Sequence, residues 1–162
     1  MARKVFFSFY YERDILRVGQ IRNSGIVLAA GDTSSGFTDA ASWESVRKQG
    51  DDAVRKWING QMEGTSVTVV LIGAETAQRP WVNYEITKSI ERGNGLLGIH
   101  IHNVRDLNQK VDVKGMNPFD YVTWKATGRP ISDTYPTYDW VNDDGRRNLA
   151  SWVEAAAKKA GR

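Results

Sequence analysis

The sequence predicts an α/β fold: a central, mostly parallel sheet of four to five strands with helices on both faces, a three-layer sandwich. Three observations predict it. Apolar runs without alternation, such as Val5-Phe6-Phe7 and Val67-Thr68-Val69-Val70-Leu71-Ile72, are what parallel strands covered on both faces require. Segments with helical spacing follow these runs, so strands and helices alternate along the chain. The 162 residues, 41% apolar and 25% charged, suit a single domain spanning 1–162 with a sizeable core better than two domains.

Taken in order, Lys4-Val5-Phe6-Phe7-Ser8-Phe9-Tyr10 is the first strand, and residues 11–22 form a helix that turns Ile15, Val18 and Ile21 inward. Residues 25–30 are a short second strand, and 31–39, rich in Gly, Ser, Thr and Asp, a loop. Ser42-Trp43-Glu44-Ser45 signals a helix start, while Gly50 weakens any single helix running on to Asn59. The third strand, 67–73, leads through a turn-rich loop into a helix opened by Pro80, whose missing N–H costs nothing there. Val82, Ile86 and Ile90 share one arc of that helix, with Glu85 and Ser89 on its shoulder. In the fourth strand, 95–102, Leu97, Ile99 and Ile101 alternate with Gly98, His100 and His102. Between 103 and 136 the pattern loosens, and Asp120-Tyr121-Val122-Thr123-Trp124 reads as a short edge strand. Asn142-Asp143-Asp144 offers an N-cap to a final helix carrying Leu149, Trp152, Val153 and Ala156.

Right-handed crossovers between such strands lead to the flavodoxin-like order 2-1-3-4-5, whose topological switch lies between strands one and three. The loops after Phe9 and Ile72 then face each other and bring Tyr10, Tyr11, Trp81 and Glu85 to one cleft. A carboxylate at that place lines a crevice. The alternative is a solvated glutamate near a helix N-terminus, favoured by the helix dipole.

Composition narrows the chemistry. A net charge of +3 permits an anionic ligand without demanding nucleic acid, which wants basic residues massed on one face. With no cysteine, disulfides, thiolate catalysis and cysteine-bound zinc are excluded. No long apolar segment or cleavage signature indicates export or membrane insertion, so the expectation is a cytoplasmic protein. Gly93-Asn94-Gly95-Leu96-Leu97-Gly98 fits the dinucleotide fingerprint by letters, but it follows a helix and enters a strand, the reverse of the required context. His100 and His102 share a strand face at metal-capable spacing without an evident third ligand, so no metal is expected. Asp14, Asp39 and Glu44 read equally as secondary site residues or as solvated loop charges.

Several segments carry a resemblance: Val5-Phe6-Phe7-Ser8-Phe9, the run 65–73, Arg79-Pro80-Trp81-Val82-Asn83-Tyr84-Glu85-Ile86, and Gly98-Ile99-His100-Ile101-His102. With Asn117-Pro118-Phe119-Asp120-Tyr121 and Tyr138-Asp139-Trp140-Val141, they resemble the TIR-like domain of ThsB proteins, the sensor component of Thoeris anti-phage defence. In the wider TIR superfamily Trp-x-x-x-Glu at the start of the third helix carries the catalytic glutamate, and here that pattern falls on Trp81 and Glu85. The resemblance implies cleavage of NAD+ at the nicotinamide–ribose bond, with NAD+ as substrate and no cofactor. It implies a cyclic ADP-ribose isomer as signal to a ThsA-like effector, with homo-oligomerisation among its associations and neither nucleic acid nor membrane as partner. Glu85, ionised, would then bind the ribose hydroxyls and stabilise the developing positive charge. Phe9, Tyr10 and Trp81 would pack on nicotinamide or ribose, and Asp39 would contact the substrate. The loop 31–36 either offers N–H groups to the pyrophosphate or merely connects a strand to a helix. The rival expectation is a non-catalytic TIR-like assembly adaptor.

Overall fold

The structure, a computed structural model, describes residues 3–22, 28–29 and 40–162. Five strands, β1 (Lys4–Ser8), β2 (Leu28–Ala29), β3 (Val67–Ile72), β4 (Gly95–His100) and β5 (Thr137–Asp139), form one parallel sheet in the order β2-β1-β3-β4-β5. This is the expected flavodoxin-like order, with the switch between β1 and β3. Among the described residues five α-helices follow the chain: α1 (Tyr11–Arg22), α2 (Ala40–Lys48), α3 (Asp51–Met62), α4 (Pro80–Glu91) and α5 (Gly145–Lys159).

Alternation along the strands sorts the core into two layers. Val5 and Phe7 join Val69, Leu71, Leu97 and Ile99 under Val18 and Ile21 of α1 and Leu149 and Val153 of α5. On the opposite face Phe6 packs on Val54, Ile58 and Met62 of α3. There too Val70, Ile72 and Leu96 meet Val82 and Ile86 of α4. Every residue of β3 and β4 is buried, so the alternation in the fourth strand separates two covered faces rather than core from solvent.

Two expectations need correction. Residues 120–124 are not the fifth strand: Asn117 accepts the Phe119 N–H and opens a 3₁₀ turn over Pro118–Asp120, leaving only a single bridge from Thr123 to Pro130. The sheet edge is taken instead by β5, where Gly98 donates to the Pro136 carbonyl and Tyr138 stacks on Trp152. The side-chain cap expected from 142–144 does not form. Asp144 adopts a left-handed conformation before α5, with no capping bond from its side chain. Gly50, at φ 101°, ends α2 and separates it from α3, as its sequence position suggested. The 25–30 and 31–39 readings lie largely outside the described residues.

The stretch after β4 is irregular but firmly held across the carboxyl ends of the strands. Arg17 donates to the Val104 and Lys110 carbonyls, Gln20 to that of Arg105, and Arg13 pairs with Asp112 at 2.9 Å and Glu75 at 3.0 Å.

Two glycines make opposite predictions. A Cβ at Gly95 would lie 2.5 Å from the Ala156 carbonyl oxygen, so Gly95→Ala must push α5 off the sheet. It should lower stability by about 1–3 kcal/mol. Gly60 sits exposed in α3 with nothing within 4 Å of a Cβ, so Gly60→Ala should gain up to about 1 kcal/mol. Thermal unfolding of the two variants checks the contrast, with a lower Tm for the first and a higher one for the second.

Candidate active site

Pro80 opens α4 at the carboxyl edge of the sheet, and Val82, Glu85, Ile86 and Ser89 form its buried stripe. Glu85 thus lies within the apolar stripe rather than on its shoulder, and only 8% of it is exposed. Its partner comes from β1: the fully buried Ser8 hydroxyl donates to Glu85 Oε1 at 2.7 Å. Glu85 Oε2 has no hydrogen-bond partner among the described residues. The helix is seated by two further polar ties. Ser89 Oγ lies 2.7 Å from the Glu85 carbonyl and 2.6 Å from Thr68 Oγ1 on β3. The carboxyl group is therefore positioned from both strands that flank the switch point.

Electrostatically this carboxyl is unlike a surface glutamate. Burial pushes it from the ordinary 4.5 up to about 8, and the Ser8 hydrogen bond pulls the other way. At neutral pH the unliganded protein holds it mainly protonated, in contrast to the ionised group expected from the sequence.

The other sequence candidates divide. Trp81, one turn before Glu85, is half-buried, edge-on to Tyr84 at 5.7 Å, with the Arg55 guanidinium 5.9 Å from its ring centroid. Tyr10, just beyond β1, lies under the Arg79 guanidinium at 3.8 Å, and Arg79 is held in turn by Glu75. Phe9 points to the opposite face, where it packs against the α1–α5 core and beside Tyr11 at 5.8 Å. Asp39 and the loop 31–36 lie outside the described residues.

Ser8 was missed in the sequence, and Asp14 was left open between a secondary site residue and a solvated charge. Ser8 was absorbed into an apolar run, although alternation from Phe6 places it on the α4 side. Asp14 is buried, both of its oxygens lack hydrogen-bond partners, and burial raises its carboxyl to about 6. The spacing Asp14, Val18, Ile21 puts it on the inward stripe of α1. It presses against Gly73, where any side chain would strike its carboxylate, on the face away from Glu85.

His100 and His102 sit 5.8 Å apart, ring to ring, and His102 Nε2 is 3.8 Å from Asp139. Burial, Lys114 and His102 lower His100 to about 4, so it is neutral near pH 7. Among the described residues, no group of three His, Cys, Asp or Glu is disposed to hold a metal ion.

Comparison with known proteins bears on this site. Residues 6–106 match the family described as Thoeris protein ThsB, TIR-like domain, a span that contains both Ser8 and Glu85. ThsB1 of Bacillus cereus (strain MSX-D12), which bears the name of a cyclic ADP-D-ribose synthase, is 36% identical over 192 residues, covering 94% of this chain and 100% of that protein.

The raised carboxyl has a measurable consequence for folding. Between pH 4.5 and about 8 the unfolded chain loses the Glu85 proton while the folded chain keeps it, so stability falls as pH rises through that window. Glu85→Gln removes the penalty. The variant should be more stable than wild type by roughly 3 kcal/mol at pH 7. Near pH 4 the two should differ little. Urea unfolding across this pH range reads the difference directly.

Proposed function

The chain belongs to the ThsB family of Thoeris proteins, with their TIR-like domain, and on that premise we propose that it is an NAD+-consuming enzyme. It cleaves the nicotinamide–ribose bond and closes the remaining ADP-ribose into a cyclic isomer. That isomer is the signal read by a ThsA-like effector protein. The observation that carries the reading is Glu85, a buried carboxyl on α4 that the Ser8 hydroxyl meets at the carboxyl end of β1.

One carboxylate suffices for this chemistry. Nicotinamide is attached as a cation and departs neutral, taking both electrons of the C–N bond onto its ring nitrogen. No general acid is needed to protonate it, in contrast to an O-glycoside, which takes two carboxyl groups. Glu85 as carboxylate accepts hydrogen bonds from the ribose hydroxyls and stabilises the positive charge that grows on the sugar. The pyridinium favours that ionised form, because an adjacent cation lowers a carboxyl pKa. Tyr10 and Trp81 supply aromatic surface near the same helix end. A nucleophile of the adenosine half, held close to the ribose, attacks the oxocarbenium carbon and loses its proton, outrunning water by proximity.

A non-catalytic adaptor explains the site less well. Keeping an almost fully buried glutamate lowers stability, and such penalties are retained where a site needs the group.

Purified protein incubated with NAD+ should release nicotinamide, and Glu85→Gln should reduce the rate by at least about a hundredfold while preserving the fold. Equal turnover by wild type and variant would remove the proposal. The pH dependence carries a sign as well. Only the carboxylate is active, so kcat/KM should climb with pH and level off above about 8, where free Glu85 ionises.

A further inference from the structure

We propose that Ser8 is the positioning residue for Glu85: its hydroxyl holds one carboxylate oxygen so that the other is presented to the ribose. The inference rests on the NAD+ reading above and extends it to a second residue.

The geometry argues for a fixed presentation. The Ser8–Glu85 separation of 2.7 Å is that of a well-formed O–H···O hydrogen bond, one that strengthens when the carboxyl ionises. Ser8 is the last residue of β1, in parallel register with Val70 of the central strand β3, so its hydroxyl is mounted on hydrogen-bonded sheet. The backbone of Glu85 is fixed independently by the Ser89–Thr68 tie. With both ends anchored, Oε1 is committed to Ser8, and substrate is left with Oε2.

No competing charge does this work among the described residues. The surrounding elements carry Lys4 on β1, Glu12 and Arg13 on α1, and Glu44 and Arg47 on α2. They also carry the Asp52–Arg55 pair on α3, and Arg79, Lys88 and Glu91 on α4. None contributes to the perturbation of Glu85, which is set by burial and Ser8 alone. Since the hydroxyl donates, it favours the carboxylate over the acid. A merely space-filling serine would have no such effect.

The test compares Ser8→Ala, Ser8→Thr and Ser8→Cys with wild type. Ser8→Ala should lower kcat by about ten- to a hundredfold, the scale of a misplaced reacting group, with KM nearly unchanged. The half-rise of kcat/KM should move to higher pH, because the donor that favours ionisation is gone. Ser8→Thr keeps the hydroxyl and should recover most of the rate at the wild-type half-rise. An Ser8→Ala enzyme with wild-type kcat and half-rise would overturn the proposal. A second measurement needs no turnover: the Glu85 carboxyl carbon, followed by NMR in substrate-free protein, should titrate at higher pH in Ser8→Ala. Should that variant not fold, Ser8→Cys, with its weaker donor, should shift the titration the same way. An unshifted titration overturns the Ser8 tie even in an active enzyme. A shifted titration in a protein that leaves NAD+ intact keeps the tie and removes the NAD+ reading.

Discussion

A carboxyl group withheld from water, with one hydroxyl beside it, is the condition to which the rest of this structure answers. Burying an ionisable group against apolar surface is unfavourable unless the charge is removed or compensated. Here both responses are present: burial holds Glu85 mainly neutral at pH 7, and Ser8 supplies a donor that suits the ionised state. The seat of α4 follows from the same constraint. A helix bearing Glu85 and Ser89 in its inward stripe packs only where the sheet offers hydroxyls at the matching heights, and β1 and β3 offer Ser8 and Thr68. Val82 and Ile86 supply the apolar contact that makes the packing favourable, while the polar pairs fix its register.

Much of the architecture was legible because its central strands are buried on both faces. Val67 to Ile72 has no solvent face, so its run of β-branched residues left no helical alternative of sufficient length. Strand order followed from the same fact, since alternating strands and helices restrict the connections to right-handed crossovers. The fifth strand was not legible. Thr137–Asp139 is only three residues long and half-buried, too short to show a period, whereas 120–124 carried the stronger β-forming composition. What decided between them was a side chain, Asn117, closing a turn on Phe119, and the packing of Phe119 and Ile131 under α4. Such tertiary choices leave little trace in local spacing. The same holds for the segment beyond β4, whose order comes from arginines of α1 nearly a hundred residues away.

The candidate site was read with a similar boundary. Trp81 and Glu85 stood out through the Trp-x-x-x-Glu resemblance, since spacing alone left Glu85, a polar interruption at the shoulder of an apolar arc, open to a solvated reading. The depth of that interruption was understated: helical geometry alone places Glu85 at the edge of the arc, and the hydroxyl that draws it inward belongs to another strand. Ser8 itself carried no local signal, since a serine in an apolar strand is unremarkable until its neighbour across the fold is known. Phe9 fell on the wrong face for the parity of its strand, and that parity was available from Phe6 and Ser8. Asp14 shows the converse case. Its spacing with Val18 and Ile21 is that of the inward stripe, a place the sequence reading gave to Ile15, and its location behind Gly73 separates it from Glu85.

The charge state of Glu85 ties these pieces to a manner of working. A carboxylate permanently ionised in the buried stripe of α4 would attract any cation and destabilise the fold throughout. A carboxyl that is protonated at rest presents no such anion, and on the proposed function the pyridinium itself supplies the charge that makes ionisation favourable. Among the described residues no ionic side chain perturbs Glu85, so on the proposed function the balance between burial and one hydroxyl is left for the substrate to tip. A resident cation beside Glu85 would keep the group ionised at rest and forfeit that discrimination. The absence of one from the forces acting on Glu85 is thus as much a part of the site as the hydroxyl that is there.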